Sequence, residues 1–274
     1  MTDPAAEILA RAIEWAHVGA QIARRRLGRA VVSRKQDRSP VTDADHAVQE
    51  AILDRIASHY PDHAVITEET VRQPGRHRPF SQAEWCWVID PIDGTRNYAR
   101  GMPGFAISIG VLRDGLPAVG AVLDVMGGPI YTAIASRGAY RNGQRVRVRD
   151  DPPTRDTMIG SPSGQGRALP AAVHEWFDRM TLRNMGSTAL HLAMVAAGMM
   201  DAAFCLEGRL WDVAAGALLV TEAGGVVTDL HGEEIFPVTA DRVENSECEP
   251  FLAAGPTLHR RLLDWLRTTT DRPE

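Results

Sequence analysis

The sequence is poor in the residues that form disulfides and zinc sites. It has three cysteines among 274 residues. Cys86, Cys205 and Cys248 lie far apart and include no CxxC pair, which argues against a disulfide framework and against a zinc site. The nine histidines are scattered as well. This composition is typical of proteins from a reducing compartment, and we expect the chain in the cytoplasm.

Long apolar runs are also missing. The nearest candidate, residues 195–206, is shorter than the ~18–20 residues that a membrane helix needs, and Asp201 interrupts it. The first residues contain no basic segment followed by an apolar one, so we expect no signal peptide. The sequence therefore predicts no membrane partner.

Positive charge is not in excess. The chain has 30 Lys and Arg against 35 Asp and Glu, a formal net charge of -5. Because nucleic-acid binding needs concentrated positive charge, we expect no nucleic-acid partner. Two local groups of arginines, within residues 24–26 and 145–149, are predicted to be a solvated helix end and the wet face of a strand.

The first half of the chain alternates between helical and strand patterns. A composition with 44% hydrophobic residues can bury a sizeable core. Apolar residues at helical spacing predict one helix over residues 4–27 and another over 43–58, capped by Thr42 or Asp43. Residues 71–82 are predicted as an exposed loop. The turn pairs Asp114-Gly115 and Asn142-Gly143 favour hairpins. The predicted strands cover residues 64–67, 85–89, 105–112, 118–125 and 130–135. The strands from residue 105 onward are predicted to form a largely antiparallel meander.

The second half alternates strands and helices after a Pro-rich boundary at residues 150–153. We therefore predict a layered α/β protein with an N-terminal lobe at residues 1–150 and a C-terminal lobe at residues 151–274. The predicted strands cover residues 158–161, 202–206, 226–229 and 251–254. The predicted helices cover residues 169–180, 187–198, 211–223 and 256–266.

Four acidic residues stand at strand ends or helix starts: Glu68, Asp90, Asp93 and Asp212. Ligand sets made of carboxylate oxygens suit Mg²⁺ or Mn²⁺ rather than zinc. Each residue has an ordinary alternative. The run at residues 90–94 also fits a plain turn, Glu68 a solvated strand end, and Asp212 a helix cap.

Several motifs in this order resemble the inositol monophosphatase family over nearly the whole chain. They are VTDAD at residues 41–45, EE at 68–69, DPIDGT at 90–95, GSTAL at 186–190 and WDVAAG at 211–216. The resemblance implies alternating α-β-α-β-α layers, as in fructose-1,6-bisphosphatase. It also implies a Mg²⁺-dependent, lithium-sensitive phosphatase that forms a homodimer.

The resemblance also implies a role for each matching residue. The metal ligands would be the side chains of Glu68, Asp90, Asp93 and Asp212 and the carbonyl of Ile92. Thr95, Asp45 and Glu68 would be the catalytic residues, with Thr95 contacting the attacking water and Asp45 bonding to Thr95. The implied substrate contacts are Asp93, Gly94, Thr95, Gly186, Ser187, Thr188, Cys205 and Asp212, with the Gly94 and Thr95 N–H groups facing the phosphate.

The implied reaction agrees with the residue chemistry. Hydrolysis of phosphate monoesters is among the slowest uncatalysed reactions, with accelerations up to ~10²¹-fold. Two or three Mg²⁺ ions, or Mn²⁺ in their place, would supply activated water and neutralise charge, which requires several carboxylates to gather them. A covalent nucleophile is unnecessary.

Two departures from the family pattern concern the substrate. Cys205 stands where inositol-specific members have a glutamate, and Arg100 where animal members have a histidine. We expect a phosphatase of small phosphorylated metabolites and take inositol monophosphate as its default substrate. Histidinol phosphate, a sugar phosphate or bisphosphate, and a nucleotide are alternatives. A different class would be a catalytically dead protein that binds a phosphorylated ligand.

Overall fold

The computed structural model describes residues 3–34, 40–68, 78–161, 171–245 and 248–270. In these ranges the helices are α1 (Pro4–Arg26), α2 (Asp43–His59), α3 (Thr95–Ala99), α4 (Ala171–Arg179), α5 (Thr188–Ala196), α6 (Leu210–Glu222), α7 (Ala240–Asn245) and α8 (Pro256–Thr270). The strands are β1 (Val32–Arg34), β2 (Pro40–Thr42), β3 (Ala64–Thr67), β4 (Trp85–Asp93), β5 (Ala106–Arg113), β6 (Leu116–Asp124), β7 (Ile130–Ile134), β8 (Ala139–Arg141), β9 (Gln144–Val146), β10 (Met158–Gly160), β11 (Thr181–Arg183), β12 (Ala202–Cys205), β13 (Val226–Asp229) and β14 (Phe251–Ala254).

Five layers of alternating helices and sheets build the molecule. Helices α1 and α2 cover the outer face of a seven-stranded sheet with the order β3-β4-β5-β6-β7-β8-β9. Helices α5 and α6 lie between this sheet and a five-stranded sheet with the order β11-β10-β12-β14-β13. Helices α4 and α8 cover the far side. The predicted α-β-α-β-α layering is confirmed.

The N-terminal helices begin at side-chain caps. Asp3 accepts a hydrogen bond from Ala5 N at 3.2 Å, and Thr42 accepts from the first turn of α2. Of the two predicted caps for α2, Thr42 is the one observed. Within the described residues, none of the helices has the length and apolar character needed to cross a bilayer.

The predicted meander forms β4 to β9, with antiparallel pairing throughout. Asp114 and Asn142 have positive φ angles of 51° and 49°, as the predicted hairpin turns require. Strands β1 and β2 also pair antiparallel, and neither strand was predicted. Residues 71–77 of the predicted loop lie outside the described residues, and residues 80–82 form a 3₁₀ turn.

Helix α6 lies unusually close to its neighbours on both sides. A Cβ at Gly110 of β5 would be 2.9 Å from Ala215 N, and one at Gly120 of β6 would be 2.9 Å from Ala215 O. On the opposite side, a Cβ at Gly216 would be 2.6 Å from Leu192 of α5. Glycine at positions 110 and 120 therefore sets how near α6 comes to the seven-stranded sheet, and Gly216 sets how near it comes to α5.

The two sheets divide near the predicted lobe boundary, since β9 ends at Val146 and β10 begins at Met158. The halves nevertheless share contacts. Helices α5 and α6 belong to the second half and cover the first sheet, and Asp150 accepts a 2.6 Å hydrogen bond from Thr257 N at the start of α8. The division into lobes at residues 150 and 151 stays a prediction.

The Gly110→Ala variant should push α6 away from β5. We expect the free energy of unfolding to fall by about 1–3 kcal/mol, because an added methyl overpacks this interface. Chemical denaturation measures the change. Gly208→Ala is the matched control, since its Cβ would meet Val213 at 3.4 Å, an ordinary contact. Equal stability of the two variants would contradict the close packing of α6.

Candidate active site

Three predicted metal ligands converge in the structure. Carboxylate oxygens of Asp90, Asp93 and Asp212 lie within 4.8 Å of one another. Asp90 and Asp93 come from the end of β4, and Asp212 from the first turn of α6. Asp90 and Asp93 are buried, with exposed fractions of 3% and 7%, and Asp212 is partly buried. The cluster thus joins the seven-stranded sheet to the inner helical layer.

The turn expected after residue 89 is a strand irregularity instead. Strand β4 continues to Asp93, and its pairing with β5 shifts register between Asp90 and Asp93. The β-bulge adds a residue on this strand and changes the direction of its side chains. Asp90 Oδ1 accepts a 2.9 Å bond from Ile92 N across the bulge. The Asp-Pro-Ile-Asp run therefore orients two carboxylates rather than reversing the chain.

The Asp93 carboxylate is fixed by the N-terminus of α5. Its Oδ2 accepts a 2.6 Å bond from the Ser187 hydroxyl and a 2.7 Å bond from Ala189 N. Ser187 is itself the N-cap of α5 and is 1% exposed. The hydroxyl of Ser187 is therefore engaged in positioning Asp93, which the sequence analysis did not anticipate. Only the Ser N-cap pattern before α5 could have suggested it.

Burial raises the pKa of all three carboxyl groups, and repulsion between charges adds to the rise for Asp90 and Asp212. Burial is the largest cause for each. The charges of Glu68, Asp93 and Asp212 further raise the pKa of Asp90, and those of Asp93 and Glu68 raise the pKa of Asp212. The pKa of Asp93 rises to about 6, although the bonds from Ser187 and Ala189 oppose the rise. Carboxylates that resist joint ionisation are suited to a divalent cation, which removes their repulsion.

Glu68 follows β3, beside but outside the tight group of three. Its charge acts on Asp90 and Asp212, so it belongs to the same electrostatic cluster. The preceding Thr67 donates a 2.6 Å bond to Gln49 of α2, and both side chains are buried. The neighbouring Glu69 lies outside the described residues.

Thr95 and Asp45 lie within hydrogen-bonding distance, as the resemblance implied. The Thr95 hydroxyl is 3.2 Å from Asp45 Oδ1 and 3.0 Å from the Ile92 carbonyl oxygen. The other Asp45 oxygen accepts bonds from Thr42 N and from the Thr42 hydroxyl, at 2.9 and 2.6 Å. Asp45 is 1% exposed. The capping box of α2 therefore also holds a buried carboxylate against Thr95.

The local backbone requires a glycine at position 94. Its φ is +97°, and a Cβ there would lie 2.8 Å from the Gly104 carbonyl oxygen. The positive φ and the nearby Gly104 carbonyl oxygen thus require glycine at this position. Helix α3 begins at Thr95, and the contacts of the Gly94 and Thr95 N–H groups with phosphate stay a prediction.

The expected substrate contacts lie around the acidic cluster. Gly186 has a positive φ of 79° and precedes Ser187, and Thr188 is partly buried. Cys205 is 6% exposed, and burial raises the pKa of its thiol to about 11, with charge from Asp212 also raising it and a bond involving Thr188 lowering it. The thiol is therefore neutral at physiological pH.

Comparison with known proteins identifies the family of this chain. The family model described as "Inositol monophosphatase family" matches residues 5–266. The chain belongs to this family. It is therefore a phosphomonoesterase of the inositol monophosphatase type.

Several relatives are similar over most of their length. "Nus factor SuhB" of Pasteurella multocida is 39% identical over 230 residues, which cover 82% of this chain and 81% of that protein. "Inositol monophosphatase 2" of Solanum lycopersicum is 37% identical over 211 residues, covering 74% and 79%. The solved inositol monophosphatase of Thermotoga maritima aligns with a TM-score of 0.83 at 27% identity, covering 97% of this chain and 98% of that one.

Mg²⁺ should stabilise this phosphatase more at pH 7.5 than at pH 5. Between the ordinary carboxyl pKa of 3.8 and about 6, the folded chain keeps an Asp93 proton that the unfolded chain releases. The contribution of Asp93 to stability is present below pH 3.8 and is lost as the pH rises through about 6. Because a cation needs ionised ligands, it competes with these protons at low pH.

Thermal unfolding with and without Mg²⁺ at the two pH values measures this effect. We expect a Tm increase of several degrees at pH 7.5 and a smaller one at pH 5. NaCl at matched ionic strength is the control. A Tm increase of the same size at both pH values would contradict the assignment of the carboxylates as cation ligands.

Proposed function

We propose that this phosphatase uses Mg²⁺ held by Glu68, Asp90, the Ile92 carbonyl, Asp93 and Asp212. The observation that carries the proposal is the convergence of three carboxylates from β4 and α6 beside the Thr95–Asp45 pair. The donor set consists of oxygen atoms, which hard cations such as Mg²⁺ prefer, and Mn²⁺ suits the same set. We expect two or three ions.

The bound metal would supply a nucleophilic water at neutral pH and neutralise charge on the phosphate. Thr95 would orient that water. When its hydroxyl donates to Asp45, the lone pairs of the Thr95 oxygen remain available to accept a hydrogen bond from the water. Asp45 cannot turn away, because Thr42 occupies its second oxygen. The pair would thus fix one water relative to the cluster.

The phosphate would bind at the start of α3. The first N–H groups of a helix have no partner within the helix, and they attract anions. The N–H groups of Gly94 and Thr95 stand at this end, one and two residues beyond Asp93. We propose that they bind the phosphate oxygens while the carboxylates bind the metal. Glu68 would complete the catalytic group.

The substrate is a small phosphorylated metabolite, and we propose that Gly186, Thr188 and Cys205 select it. Inositol monophosphate is our default. The buried thiol of Cys205 is neutral, so this position lacks the negative charge with which a glutamate would bind substrate hydroxyls. That difference keeps histidinol phosphate, a sugar phosphate or bisphosphate and a nucleotide as alternatives.

We also propose a cytoplasmic homodimer that lithium inhibits. The three free cysteines support a reducing compartment, and the dimer and lithium sensitivity follow from the family. The relative from Pasteurella carries the name of a Nus factor, so a role in a transcription complex is a second candidate. We keep the expectation of no direct nucleic-acid contact as a prediction. An active-site variant that loses phosphatase activity but keeps its role in a transcription complex would separate these two functions.

Asp93→Asn should reduce phosphatase activity by at least ~10²-fold, because a metal ligand loses its charge while its shape stays. Phosphate release is measured with Mg²⁺ on inositol monophosphate, histidinol phosphate, a sugar bisphosphate and a nucleotide. Glu222→Gln is the matched control. Glu222 accepts from Ser136 N and Gly138 N at the far end of α6 and should be dispensable for turnover.

Two results would decide against the proposal. If the unmodified protein releases phosphate from none of these substrates with Mg²⁺, the proposed Mg²⁺-dependent reaction is refuted, and binding of a phosphorylated ligand without turnover is the alternative. Near-normal activity of Asp93→Asn would refute the metal-ligand role alone.

Cys205→Glu should shift the substrate preference towards inositol monophosphate. The new carboxylate would stand where the family binds inositol hydroxyls, and a hydrogen bond to a charged group is worth about 1.5–3 kcal/mol, or roughly 10–150-fold in affinity. The ratio of kcat/KM for inositol monophosphate to that for the best other substrate measures the shift. Cys205→Ser is the control for size. No change in the ratio would remove Cys205 as a selector.

A further inference from the structure

One amide side chain links the two halves of the chain next to the acidic cluster. Nδ2 of Asn97, in α3, donates to the Gly104 carbonyl oxygen at 2.8 Å and to the Met185 carbonyl oxygen at 2.7 Å. The second bond joins residues that are 88 positions apart in sequence. Asn97 is partly buried.

The backbone around Asn97 is shaped to fit this amide. Gly104 and Gly186 both have positive φ, at 89° and 79°. A Cβ at Gly186 would lie 2.6 Å from Asn97 Nδ2, and one at Gly104 would lie 2.7 Å from the Met185 carbonyl oxygen. Substituents at either glycine would therefore displace the amide or the segment between β11 and α5 that it binds.

The Met185 peptide is fixed from its other side as well. Its N–H donates to Nε2 of His191 at 2.9 Å. Burial lowers the pKa of His191 to about 4, so the ring is neutral and able to accept. Asn97 and His191 thus fix the segment that leads into α5, one through a carbonyl and the other through an N–H.

This segment carries the groups that hold Asp93. Two residues after Met185, Ser187 donates to Asp93 Oδ2, and Ala189 N donates to the same oxygen. Any displacement of the Met185 peptide moves both donors. Asp93 would then be free to rotate away from Asp90 and Asp212.

We propose that Asn97 is a positioning residue for the cation site, acting through Met185 and Ser187 on Asp93. The inference rests on the proposed function, because it requires a cation at Asp93. Asparagine suits the position because its amide nitrogen offers two donors to two carbonyls from different halves of the chain. An aspartate would place acceptors against the same two carbonyls.

Asn97→Ala should weaken Mn²⁺ binding. Mn²⁺ serves as a paramagnetic probe, and electron paramagnetic resonance titration without substrate measures its Kd. Because residues that orient metal ligands typically change metal affinity by 10–100-fold, we expect about a tenfold higher Kd. The readout does not depend on catalysis.

Asp150→Ala is the matched control. It also removes a hydrogen bond between the halves, that from Thr257 N at 2.6 Å, but it acts on the outer helix α8. We expect lower thermal stability in both variants and a raised Mn²⁺ Kd only in Asn97→Ala. An unchanged Kd in a folded Asn97→Ala protein would overturn the inference and leave Asn97 a structural residue.

Asn97→Asp covers the case in which Asn97→Ala does not fold. Its added negative charge should by itself strengthen Mn²⁺ binding, so a raised Kd would support positioning and an equal or lower Kd would refute it. If the unmodified protein binds no Mn²⁺, the metal site of the proposed function fails. If it binds Mn²⁺ normally but lacks phosphatase activity, only the enzymatic proposal fails.

Discussion

Repulsion among buried carboxylates is the constraint around which the site is organised. Burial raises the pKa of Asp90, Asp93 and Asp212, and repulsion between charges raises those of Asp90 and Asp212 further. Two features oppose this. Hydrogen bonds from backbone and hydroxyl donors fix each carboxylate, and both inner helices direct their N-termini at the cluster. The positive ends of the helix dipoles partly compensate the negative charge before any cation binds.

The layered fold makes this arrangement stable. The cluster lies where β4 of one sheet meets the first turns of α5 and α6, so acidic residues from distant parts of the sequence share one rigid junction. The glycines of β5 and β6 let α6 approach the sheet closely enough for Asp212 to reach Asp90. The distance between α6 and the sheet therefore also sets the distance between the Asp212 and Asp90 carboxylates.

Local sequence patterns predicted the helices and the acidic motif, but they did not predict the contacts between residues far apart in the sequence. The bounds of α1 and α2 were predictable because amphipathic spacing and the Thr42 cap are local signals. The motif around Asp90 predicted that Asp90 and Asp93 lie near Asp212, and the structure brings these carboxylates together. The same motif suggested a turn, because Pro and Gly favour turns and a bulge has no equally clear signature. Ser187 on Asp93 and Asn97 on Met185 join residues 94 and 88 positions apart, and no sequence spacing encodes such contacts.

The position of α6 also affects how the chain is made. Its residues from Leu210 to Val220, except Asp212, are buried between two sheets. The inner face of the first sheet therefore has no cover until α5 and α6 leave the ribosome. Residues 147–222 take roughly 4–15 s to synthesise at ~5–20 residues per second. During that interval the nascent chain presents an apolar sheet face to solvent, and aggregation competes with folding until α5 and α6 cover it.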